Sequence, residues 1–114
     1  MNTTHTRAQV EATIKLFVYL LTQEHNRYYA EKYPTLGVPT FRIQYGSKNA
    51  KIVRVDPGSK GGSVYCFIEL ESGAILKAAG WNAPAKGARG SIFNEDCDVG
   101  ADKPCSVHGG GLYR

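Results

Sequence analysis

The chain has 114 residues, 42% of them apolar and 21% charged, which suits one soluble domain with a core of its own. Its net charge of +4 is too small for a dedicated duplex-DNA binder, which gathers many cations on one face. No apolar run reaches the ~20 residues of a membrane span, and the polar start at residues 1–5 lacks the apolar stretch of a secretion signal, so a cytoplasmic protein is expected.

The charge is unevenly spread. Residues 1–60 hold nine Lys/Arg against four Asp/Glu, whereas residues 61–114 hold five against six. A small anionic partner fits this balance at least as well as a polymer.

Residues 1–33 contain one long helix, starting at residue 6. Thr6 and Gln9 have the spacing of a capping box. Val10, Ile14, Phe17, Leu21 and Tyr28 recur as a helical stripe, and Leu16, Val18 and Leu20 widen it. That width is compatible with burial on one broad side or with contact to a second subunit. Pro34 ends the helix, because its ring disfavours a helical residue before it. His5 and His25 read as solvent-facing.

Residues 40–77 read as a four-stranded antiparallel meander. Phe41, Ile43 and Tyr45 alternate with polar residues, as in a half-buried strand. Gly46-Ser47-Lys48-Asn49 turns the chain into a strand at 51–55. Asp56 to Gly62 is a loop. Its Gly58-Ser59-Lys60-Gly61-Gly62 run is not a P-loop, since a strand follows where a helix is required, although Lys60 is free to reach an anion. Residues 63–70 are nearly continuous in β-branched and aromatic residues and form the central strand. Ser72-Gly73 turns it into a last strand at 74–77.

Residues 78–114 read as an irregular ligand-binding loop and tail. Lys77, Lys86 and Arg89 are cations set among glycines, with Trp81 and Phe93 as rings able to stack on a base. Arg89 offers a planar fork for phosphate. Asn82 and Asn94 supply polar contacts, and Arg114 is a weaker candidate. The plainer alternative is that Trp81 covers the open face of the sheet while the cations are merely solvated.

No catalytic constellation emerges. Cys105 and His108 lack the strand-turn-helix context of a nucleophile elbow, and Glu95, Asp96 and Asp98 read as solvated acids on a loop. Cys66 lies in an apolar run and reads as a buried thiol; Cys97 and Cys105 could pair with each other, but free thiols are the expectation for a cytoplasmic protein. Cys97, Cys105 and His108 lack an evident fourth zinc ligand and match no common finger, so no metal and no cofactor is expected.

Residues 63–93 resemble small phage and prophage proteins. The resemblance rests on Ser63-Val64-Tyr65-Cys66-Phe67 followed by Lys77…Gly80-Trp81…Pro84-Ala85-Lys86…Ala88-Arg89-Gly90. It departs from that pattern at Ala78-Ala79, where a proline is expected, and in the Cys97–Cys105 stretch, which looks like an insertion. The family it is similar to is the first type of anti-Thoeris signal sponge. Such a resemblance implies a non-catalytic protein that sequesters cyclic ADP-ribose isomers, with some members also trapping cyclic oligonucleotides. It further implies an α+β homodimer or higher oligomer, assembled through the helix with pockets between subunits, acting in the cytoplasm of an infected host cell. The alternative is a small phage module that binds nucleic acid or a host protein, although a nucleic-acid partner is not the favoured expectation.

Overall fold

The computed structural model describes residues 6–58, 61–100, 103, 105 and 106. Within them the fold is α+β. A single helix, α1 (Arg7–Lys32), precedes seven strands: β1 (Thr40–Tyr45), β2 (Asn49–Val55), β3 (Ser63–Glu69), β4 (Ala74–Leu76), β5 (Ala78–Gly80), β6 (Ala83–Pro84) and β7 (Gly90–Ser91). Lys60, His5, His108 and Arg114 lie outside the described residues. No helix among the described residues is long and apolar enough to cross a membrane.

The capping box at Thr6 forms in both directions. Thr6 Oγ1 accepts the Gln9 N–H at 3.1 Å, and Gln9 Oε1 accepts the Thr6 N–H at 2.8 Å. Two of the helix's orphan donors are thereby satisfied. The last turn closes at Tyr33, immediately before Pro34. The buried residues of α1 are Val10, Ile14, Phe17, Leu21 and His25.

His25 corrects the expectation of a solvent-facing histidine. It lies one helical repeat beyond Leu21 on the apolar stripe and is fully buried. Its Nδ1–H donates to the Leu21 carbonyl at 2.8 Å. The ring packs edge-on against Phe41 and Tyr65, at centroid distances of 4.9 and 6.2 Å. Tyr28, expected on that stripe, is half-buried instead. Leu16 remains half-exposed, and Val18 and Leu20 pack at the margin of the core.

The main sheet has five antiparallel strands in the order β1-β2-β3-β4-β7, one more than expected. Gly90–Ser91 supplies the extra edge strand beside β4. Ala78–Gly80 and Ala83–Pro84 pair into a separate two-stranded ribbon. These short pairings fall in the stretch that reads as irregular, because Ala, Gly, Pro and Ser carry little intrinsic strand preference.

One face of the sheet carries α1. Ala50, Ile52, Cys66, Ile68, Ile75 and Ile92 close against the helix stripe. The register shift after Ile52 pairs Ile52 with Cys66 but Val53 with Val64, leaving Tyr65 as the extra residue of a β-bulge. The bulge lets consecutive residues, Tyr65 and Cys66, both join the helix-side core. The other face carries the cross-strand pairs Gln44–Lys51, Lys51–Phe67 and Phe67–Leu76. Among the described residues no helix covers this second face, and the candidate site lies there.

Candidate functional site

Lys51 stands in the middle of β2, between buried Ala50 and Ile52, yet its side chain projects to the open face. It is only 8% exposed. The β5–β6 ribbon accounts for this burial, because Trp81 and Asn82 at its tip come down over the lysine. Lys51 Nζ donates to Asn82 Oδ1 at 2.8 Å and lies 4.2 Å from the centroid of the Trp81 ring. One face of the indole is therefore engaged by an ammonium, an attraction of about 2 kcal/mol when water is excluded. Trp81 nonetheless stays 46% exposed.

Beside this cluster a cleft of about 400 Å³ runs between the β1–β2 turn and the ribbon. Gln44, Lys48, Asn49, Lys51, Phe67 and Asn82 are among its walls. The β1–β2 turn thus belongs to the site, although the sequence reading placed no functional residue there. The available signal was a cation inside an otherwise apolar strand segment, Ala50-Lys51-Ile52-Val53.

The sequence-selected residues divide into two groups. Trp81 and Asn82 meet over Lys51. Arg89 is half-buried, and its backbone N–H donates to the Ile75 carbonyl at 2.7 Å. Arg89 lies just before β7, whose Gly90 pairs with Ile75. Lys77 sits at the β4–β5 junction, its carbonyl accepting the Ala85 N–H at 2.8 Å, and Lys86 is exposed beyond the ribbon. Among the described residues no carboxylate forms an ion pair with Lys51, Lys77, Lys86 or Arg89.

Phe93 and Asn94 go elsewhere. Phe93 packs at the edge of the helix-side core, beneath Gly73. Asn94 Nδ2 donates to Asp98 Oδ2 at 2.7 Å. Asp98 is itself a correction, being buried where a solvated acid was expected. Its carboxylate also accepts the Ser91 N–H at 2.8 Å, which fixes β7 in place. Asp96 is the solvated partner of Lys103, at 3.0 Å, and this contact holds its carboxyl below the usual range.

The family model of DUF7717, described as a family of unknown function, matches residues 1–114. The chain belongs to this family. Comparison with curated proteins and with solved structures returned no match.

The thiols of this DUF7717 chain stand apart from the open-face cluster. Cys66, Cys97 and Cys105 are free and buried. Burial pushes the Cys66 thiol well up, with a smaller push from Cys105. Burial, then the charge of Asp98, takes Cys105 to about 12, and burial followed by Asp96 and Asp98 raises Cys97. A raised thiol pKa withholds the reactive thiolate. Among the described residues no group of His, Cys, Asp and Glu is arranged to hold a metal ion.

We expect Ellman's reagent to find almost no reactive thiol in the native protein at pH 8 and all three after denaturation. Rapid reaction of one native thiol would overturn this burial scheme. The folded-state values are raised, so the stability they contribute is complete below the unfolded thiol pKa of about 8.5. It is lost as pH rises from there through the folded-state values.

Proposed function

We propose that the chain binds a small phosphate-bearing molecule with a flat ring, of the cyclic nucleotide class, and holds it without chemical change. The reading combines the anti-Thoeris resemblance with one observation, the meeting of Trp81 and Asn82 over the cation Lys51 on a sheet face that no helix among the described residues covers. The half-exposed indole offers a stacking surface. Arg89, Lys77 and Lys86 are cations free of internal carboxylate partners among the described residues and are assigned to phosphate. Phe93 and Asn94 are occupied in the core and with Asp98, so the ligand set narrows to the open-face residues and nearby cations. Sequestration demands affinity and slow release but no acid, base or nucleophile.

The test is calorimetry against a panel of cyclic nucleotides that includes cyclic ADP-ribose isomers, followed by heat denaturation and chromatography of what is released. The proposal requires saturable binding of at least one member and its recovery intact. Binding of none, or recovery of a cleaved product, would sink it.

A further inference from the structure

We infer that Lys51 and the β1–β2 turn form an oxyanion subsite, which takes the phosphate of the ligand in the cleft between that turn and the β5–β6 ribbon. The cleft's volume, about 400 Å³, lies in the range of small-molecule sites. It is large enough for a diphosphate with part of its attached sugar.

The surroundings of the Lys51 side chain point to an anion. A lysine that serves only to pack lays its methylene stem on apolar surface and keeps its ammonium in water. Lys51 as a whole is 8% exposed and borders the cleft, with its ammonium between the Asn82 amide oxygen and the Trp81 ring. Both partners are neutral. Among the described residues no carboxylate pairs with this cation, and the Asn82 contact uses one of its three ammonium donors. An anion entering the cleft would supply the missing charge.

The surroundings favour such an anion. Gln44, directly across the strand pair from Lys51, brings an amide to the cleft, and Asn49 brings a second. Lys48 adds a cation at the turn. Glu69 pairs with Asn49 in the sheet, but its carboxylate accepts the Ser72 hydroxyl at 2.5 Å rather than Lys51. Phosphate chemistry fits this combination of cation and amide donors. Because the same ammonium lies under Trp81, a ligand bound here would place a ring against the exposed part of the indole. That last step rests on the nucleotide reading, whereas the anion contact at Lys51 does not.

Trp81 is the only tryptophan, so its fluorescence reports on the cleft directly. Inorganic pyrophosphate, ADP-ribose and adenosine would be titrated into the wild-type protein, Lys51→Met and Lys51→Arg, with circular dichroism to check folding. Pyrophosphate and ADP-ribose are expected to shift the emission saturably. Lys51→Met should weaken both by about tenfold or more, the usual scale for losing a charge-assisted hydrogen bond, while Lys51→Arg retains most of the affinity. If Lys51→Met does not fold, the Asn82 side-chain amide resonance of the wild-type protein decides, since bound pyrophosphate must move it. Unchanged affinity in folded Lys51→Met overturns the subsite and leaves nucleotide binding standing. Lys51-dependent binding of pyrophosphate without binding of any nucleotide supports the subsite and removes the nucleotide reading. Silence of both Trp81 and Asn82 toward every probe overturns the subsite.

Discussion

Asp98→Ala is expected to lower the unfolding free energy by about 3 kcal/mol, because its carboxylate organises the C-terminal edge of the sheet. One oxygen, Oδ2, accepts both the Ser91 N–H at 2.8 Å and the Asn94 amide at 2.7 Å. Alanine leaves both donors without that acceptor, in a place only 8% exposed. The backbone at this residue has φ 54°, in the left-handed region that Asp and Asn tolerate better than most residues, so alanine adds strain. Gly90→Ala should be damaging for a linked reason. A Cβ there would sit 2.3 Å from Asp98 Oδ2 and 3.1 Å from its Cγ, forcing the carboxylate off the Ser91 amide. The two substitutions must therefore be non-additive. With Asp98 already truncated, the atoms that Gly90→Ala would strike are gone, and the double variant should be scarcely less stable than Asp98→Ala alone. Urea denaturation of the four proteins measures this. Simple additivity, or a loss below about 0.5 kcal/mol for Asp98→Ala, would show that Asp98 does not hold the edge.

The elements that were legible in the sequence are those whose signals are local. Thr6 and Gln9 announce the helix start, and Val10 to Leu21 announce its buried side, because capping and the 3.6-residue repeat depend on near neighbours. The pairing of β1 with β2, and of β2 with β3, likewise follows from alternation and β-branched content. His25 escaped because its buried environment is made by Phe41 and Tyr65 from distant strands, while its polarity pointed outward. The pairing of β7 escaped for a similar reason. Gly90 and Ser91 carry no strand preference, and their position is imposed by Asp98, seven residues beyond Ser91. At the site, the basic and aromatic character of residues 77–93 was plain, but not the partner they meet. Lys51 lies 31 residues before Asn82, and only the folding of the ribbon over β2 brings them together.

On the nucleotide reading, Arg89→Ala is expected to weaken ligand binding by about 100-fold or more while leaving the melting temperature nearly unchanged, an effect typical of truncating one side of a desolvated charge pair. The fold should tolerate the change because the structural contact at this residue is made by the backbone, through the N–H that donates to Ile75, and alanine preserves it. No carboxylate among the described residues pairs with the guanidinium, so its removal strands no internal partner. Arg89→Lys should recover only part of the affinity, since an ammonium cannot reproduce the two parallel hydrogen bonds of a guanidinium to phosphate. Combining Arg89→Ala with Lys51→Met then asks whether the two cations share a phosphate. Strong coupling in the double-variant cycle means that they do, whereas additive losses assign them to separate phosphates of one ligand. Calorimetry with the panel member that binds wild type gives all four affinities. Wild-type affinity in folded Arg89→Ala would remove Arg89 from the site and confine anion recognition to the Lys51 cleft.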